Sequence, residues 1–221
     1  MPTSSDGPTP FDCAAGPIAG PAAGALARIA WRLQRASGWS TILARPVPSH
    51  CVIIFFPHTS NWDFVVGLLA KWAIGLHVRW IAKDSLFETP LGPLLRRWGG
   101  IPVNRRQRSG MVARLCDAIA ANDEFRVVIA PEGTRSRTEG WRSGFYRLAR
   151  AARVPLGLAF IDYRRREIGI GAWIELTGDV ETDMAAIARF YRDRTARRPG
   201  LVGPVRLDAT AVPRENEHGT P

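Results

Sequence analysis

The run Cys51-Val52-Ile53-Ile54-Phe55-Phe56 is apolar from end to end. It has no polar face to turn to water and is too short for a stable helix. Its length and β-branched content suit a strand buried on both sides. Arg126–Ala130, Val154–Ile161 and Ile168–Leu176 read as further strands, with shorter ones at Val78–Ala82 and Ile101–Val103. Between them lie segments of helical period at Asn61–Ile74, Leu91–Trp98, Ser109–Ala121, Phe145–Ala152 and Thr182–Arg194. Strands that alternate with helices build βαβ units. The expected fold is therefore α/β: one domain with a largely parallel or mixed sheet flanked by helices.

That pattern occupies residues 21–198. Its first part, 21–37, reads as an amphipathic helix, with Leu26, Ile29, Ala30 and Leu33 on one face and Arg28, Arg32 and Arg35 on another. Residues 1–20 and 199–221 are rich in Pro and Gly without periodicity and read as flexible tails. Net charge is +10, from 30 basic and 20 acidic side chains, which favours an anionic partner. Only Lys71 and Lys83 among the 30 are lysine. Cys13, Cys51 and Cys116 are far apart and odd in number, so a disulfide framework or a cysteine-rich zinc site is not expected. The longest uncharged stretches are broken by prolines or charges before reaching the roughly 20 residues of a spanning helix.

In open α/β sheets, ligands bind beyond the carboxyl ends of the strands. Two such ends carry chemistry. After the first buried strand comes Pro57-His58-Thr59-Ser60-Asn61-Trp62-Asp63. On one continuous helix His58 and Asp63 would point about 140° apart, because each residue turns about 100°. They meet if His58 lies in the loop and Asp63 in the first helical turn, an arrangement that the N-cap types Thr59, Ser60 and Asn61 favour. A carboxylate beside imidazole orients the ring and leaves its other nitrogen to take a proton. Taken alone, the same spacing also fits a loop histidine followed by a carboxylate favoured at a helix start.

The second polar end is Pro131-Glu132-Gly133-Thr134-Arg135-Ser136. Gly133 permits a tight turn, and Arg135 offers a planar fork for phosphate or carboxylate. A third segment, Gly99-Gly100-Ile101-Pro102-Val103-Asn104-Arg105, ends a short strand in an arginine, with Arg106 and Arg108 beyond it. The chain shows no GxSxG elbow, P-loop, HExxH or EF-hand pattern. Its four histidines, His50, His58, His77 and His218, are scattered, so neither a metal nor a cofactor is expected. Without a protein nucleophile, the group that His58 would activate is a hydroxyl on the substrate.

Together these segments resemble the glycerolipid acyltransferases, the family of 1-acylglycerol-3-phosphate acyltransferase. The HxSxxD motif matches His58, Ser60 and Asp63. The glycine, apolar run and arginine motif matches Gly99 through Arg105, and the EGTRS box matches Glu132 through Ser136. A strand containing Val-Pro corresponds to Val154-Pro155. The resemblance implies that His58 deprotonates an acceptor hydroxyl that attacks an acyl thioester directly, with Asp63 orienting His58. It assigns Ser60, Arg105, Glu132, Gly133, Thr134 and Arg135 to substrate binding. It implies lysophosphatidic acid as acceptor, with another lysolipid or an aminolipid as the alternative, and acyl carrier protein or coenzyme A as the carrier of the donor thioester. Backbone N–H groups at the helix start after His58 are expected to stabilise the oxyanion. With no anchor in the sequence, the helix at 21–37 would hold the protein on an anionic membrane, peripherally and on the cytoplasmic face. A basic nucleic-acid-binding or non-catalytic membrane protein is the alternative of another class. No nucleic acid is expected, because no helix-turn-helix or RNP-like signature accompanies the charge.

Overall fold

A computed structural model describes residues 14–104 and 110–208. Its strands are β1 (Ala14–Pro17), β2 (Ser40–Arg45), β3 (His50–Phe56), β4 (Arg79–Lys83), β5 (Gly100–Val103), β6 (Phe125–Ile129), β7 (Leu156–Asp162) and β8 (Glu167–Ile174). Its α-helices are α1 (Ala25–Ala36), α2 (Asn61–Ile74), α3 (Gly92–Arg97), α4 (Met111–Ala120), α5 (Gly144–Ala152) and α6 (Val180–Tyr191). The strands form one sheet in the order β1-β2-β8-β7-β3-β6-β4-β5. From β7 to β5 all neighbours are parallel. β8 returns antiparallel to β7, and β2 pairs parallel with β8. The single α/β domain with a mixed, mostly parallel sheet is thus present.

β3 explains the layering. Val52, Ile54 and Phe56 point into a cluster with Leu115 and Ile119 of α4, Phe145 and Leu148 of α5, and Ile187 and Tyr191 of α6. Cys51 and Ile53 alternate to the opposite face, where Leu43, Ile170 and Trp173 pack. Val66 and Ala70 of α2 cover Ile161 and Ile168 on that second side. A strand covered on both faces needs apolar residues at every position, as its sequence shows.

Two elements lay outside the sequence reading. β2 was missed because Ser40-Thr41-Ile42-Leu43-Ala44-Arg45 is short and closed by Pro46. β1 falls in the stretch expected to be tail and pairs with β2 at the sheet edge. Residues 199–208, also expected to be tail, pack on the domain. The Trp141 N–H donates to the Arg206 carbonyl at 2.7 Å, and the Asp208 N–H donates to the Trp141 carbonyl at 2.8 Å. Ser109, where the sequence reading starts this helix, lies outside the described residues, and α4 begins after Gly110 in a left-handed conformation.

Candidate active site

β3 and β6 are parallel neighbours, so the loops that follow them leave the same edge of the sheet. This places the His58 and Glu132 segments side by side, although 74 residues separate them.

The loop after β3 is built around one carboxylate. Ser60 is the N-cap of α2, and its hydroxyl accepts a hydrogen bond from the Trp62 N–H at 3.2 Å. Asp63, three residues on, reaches back in a capping box. Its Oδ2 accepts from the Thr59 and Ser60 N–H groups, both at 2.8 Å. The same oxygen lies 3.3 Å from His58 Nδ1. Nδ1 is within ion-pair reach but lacks the alignment of a hydrogen bond, and a small ring rotation would close it. With Nδ1 turned to Asp63, Nε2 is the nitrogen left for a substrate. The side chain of His58 is 18% exposed and that of Asp63 only 1%, so the base can be reached while its partner is shielded.

Asp63 Oδ1 accepts from the Tyr163 hydroxyl at 2.7 Å. Burial opposes ionisation of Asp63, but the nearby His58 ring and hydrogen bonds from Tyr163 and the Ser60 amide outweigh it and hold the carboxyl below its ordinary range. Four of the amides expected to stabilise an oxyanion are already committed. Thr59 and Ser60 donate to Asp63, Trp62 donates to Ser60 Oγ, and the Asp63 N–H donates to the Ser60 carbonyl at 3.3 Å. That sequence expectation is not met by these groups.

The loop after β6 divides its residues between scaffold and surface. Glu132 is buried, 1% exposed, and its Oε2 accepts from the His58 N–H at 3.1 Å, while the Gly203 N–H also favours its charged form. Burial pushes its carboxyl up to about 7, with the Asp63 charge adding to the rise against these two amides. Glu132 thus supports the His58 loop from beneath. Gly133 has φ +65°, and a Cβ there would meet Arg142 Nε at 2.8 Å, so the turn requires glycine on both counts. Thr134 Oγ1 accepts from the Ser136 N–H at 3.2 Å. Arg135 is exposed at the rim. Ser60, assigned to substrate by the resemblance, is 6% exposed and occupied as the cap.

β4 and β5 are parallel to β6 and end at the same edge, which carries Lys83 and Asn104 there. Arg105, with Arg106 and Arg108, lies outside the described residues. At the other end of the motif, Gly99 has φ +96°, and a Cβ would meet the Val78 carbonyl oxygen at 2.7 Å. Val154-Pro155 precedes β7 at the opposite edge of the sheet, where the Pro155 carbonyl accepts from the Val52 N–H at 3.1 Å. A seven-residue strand separates it from the His58 edge, about 20 Å. Its place is in the scaffold.

Tyr163 and the segment 195–203 were not among the expected site residues. The Tyr163 N–H donates to the Thr195 carbonyl at 2.8 Å, and the Arg198 N–H donates to Thr59 Oγ1 at 3.2 Å. Motif spacing gives no hint of them. The rule that parallel strands present ligand-facing residues at their carboxyl ends did offer one for Tyr163, which follows β7.

The arrangement can abstract a proton at His58 and hold an anion at the exposed arginine. Among the described residues a thiol nucleophile is disfavoured, since burial pushes the Cys51 thiol up to about 12 and also raises that of Cys116. Among the described residues no group of three or more His, Cys, Asp or Glu side chains is placed to hold a metal ion. No curated protein matches the chain. Residues 41–157, more than half of the sequence and including both the His58 and Glu132 loops, match the Acyltransferase family. The chain belongs to the acyltransferase family.

Proposed function

We propose that this acyltransferase moves a fatty acyl group from a thioester to the free hydroxyl of lysophosphatidic acid, forming phosphatidic acid. The observation that carries the reading is the capping loop that sets His58 Nδ1 against Asp63 and leaves Nε2 for the acceptor. Nε2 takes the hydroxyl proton as the acceptor oxygen attacks the thioester carbonyl carbon. The carbon–sulfur bond then breaks, and the imidazolium returns the proton to the departing thiolate. The imidazolium that forms in between is stabilised by Asp63. Arg135, with Arg105 by resemblance, supplies the charge that holds the acceptor phosphate, bidentate where geometry allows. Acyl carrier protein or coenzyme A carries the donor.

The acceptor places the enzyme at a lipid surface, and α1 offers a means of binding one. It buries Ala27, Ala30 and Gln34 against the domain and leaves Leu26, Ile29 and Leu33 between 53% and 55% exposed. Large aliphatics turned to water beside Arg28, Arg32 and Arg35 suit an interfacial helix on an anionic membrane, peripheral and cytoplasmic. No helix among the described residues is long and apolar enough to cross a membrane.

The test is acyl transfer by the purified protein beside His58→Ala, with liposomes, both donor types and a panel of lysolipids, products read by mass. Phosphatidic acid from the wild type, reduced at least a hundredfold in the variant, is expected. Equal rates would remove His58 as the base, and transfer only to another lysolipid would replace the acceptor.

A further inference from the structure

Resting on the reading of His58 as the base, we propose that Tyr163 is a positioning residue, its hydroxyl fixing the carboxylate that orients His58. Asp63 has two oxygens with different duties. Oδ2 is shared by the Thr59 and Ser60 amides and faces His58. Oδ1 is held by the Tyr163 hydroxyl at 2.7 Å, across 100 residues of sequence. With only the two amides, both on one oxygen, the carboxylate could swivel about its Cβ–Cγ bond. The phenol bond pins the second oxygen and so fixes the plane in which Nδ1 must lie.

Tyr163 is itself held. Trp39 packs edge-on against its ring at 5.1 Å, and its backbone is tied to Thr195. The Arg197 guanidinium lies 5.8 Å from the Tyr163 ring centroid and 5.6 Å from that of Trp62. Burial and the Asp63 charge push the phenol up, so it stays a neutral donor. Tyr163, Asp63 and His58 follow one another in contact, with the Arg197 charge beside the Tyr163 ring. The ionisable groups around the carboxylate are His58 from the β3 loop, Glu132 from the β6 loop, Tyr163 from the β7–β8 turn and Arg197 after α6.

The test is Tyr163→Phe, which keeps the ring against Trp39 and removes only the hydroxyl. Hydrogen bonds to charged groups support an expected kcat loss of about tenfold, with the KM of both substrates within about twofold, using whichever acceptor the wild type turns over. The second readout needs no substrate: titration of the Asp63 carboxyl by NMR in the free protein. The phenol bond helps to hold that carboxyl below its ordinary range, so its midpoint should rise in the variant relative to wild type. A role confined to packing would move neither quantity, and an unchanged midpoint overturns the proposal whatever the activity. Failure of the acceptor assignment appears separately, as wild-type protein that does not acylate lysophosphatidic acid. Should the Phe variant not fold, Arg197→Gln leaves the phenol in place and removes the charge behind it. A smaller upward displacement is then expected, and no displacement overturns the proposal.

Discussion

Glu132 makes a prediction about stability that activity assays would not expose. Its carboxyl is 1% exposed, accepts from the His58 amide, and is pushed up to about 7 from an ordinary 4.5. Between those values the folded protein keeps a proton that the unfolded chain has released. The unfolded state binds fewer protons there, so stability falls as pH rises through the window. At about 1.4 kcal/mol per pH unit the gap sets an upper figure of about 3.5 kcal/mol, and relaxation around the charge brings the expectation to about 1–3 kcal/mol. Glu132→Gln cannot ionise, yet its amide oxygen can still accept from His58. Urea unfolding of both proteins at pH 5, 6, 7 and 8, followed by tryptophan fluorescence, isolates the effect, because groups common to both cancel in the difference. The Gln variant should gain on the wild type from pH 5 to about pH 7 and level off towards pH 8. A stability difference that stays flat across that range would show that the carboxyl is ionised throughout and refute the reasoning.

Arg135→Ala should raise the acceptor KM about tenfold or more while sparing donor KM, because a charge-assisted contact to phosphate is lost; an unchanged acceptor KM counts against the assignment. A chain ending at residue 198 should be less stable in urea than one ending at 208 by about 3 kcal/mol or more. The shorter chain removes Leu207, 8% exposed against the core, takes the Gly203 amide away from Glu132 and leaves the Trp141 backbone pairing unmade. Replacing Leu26, Ile29 and Leu33 together with serine should abolish flotation with anionic liposomes without lowering the unfolding midpoint, since all three are more than half exposed. Retained flotation would mean that another surface meets the membrane.

The sheet was legible because its central strands are covered on both faces and must be apolar at every position. β3 differs from the sequence reading by one residue, His50. β2 was not legible, since Ser40 and Thr41 open it and its partner β8 lies more than 120 residues away. Helix α1 had visible amphipathicity, but its sense did not follow from the pattern. The aliphatics that would ordinarily be buried face outward, and Ala27 and Ala30 allow α1 to approach the domain closely. In the candidate site, the meeting of His58 and Asp63 followed from local capping rules. The separation of Glu132 from Arg135 did not. Three residues apart in one motif, one is buried as a scaffold and the other exposed, because the turn at Gly133 reverses the chain between them.

One carboxylate serves two ends at this site, which gives a physical reason for the tight spacing. The capping box needs an acceptor at the third helical position, and the imidazole needs a partner on its Nδ1 side. Asp63 meets both needs with one oxygen, and aspartate is short enough to reach back without swinging clear of His58. The same economy leaves the loop with few restraints of its own, so the others come from elsewhere in the chain. Glu132 holds the His58 amide from the neighbouring strand, Tyr163 holds the second Asp63 oxygen from the β7–β8 turn, and Arg198 holds the Thr59 hydroxyl from the segment after α6. Parallel strands make this possible by delivering β3, β6 and β7 to one edge. Helix formation in α2, closure of the segment after α6 and alignment of the base are therefore coupled through the short span from His58 to Asp63.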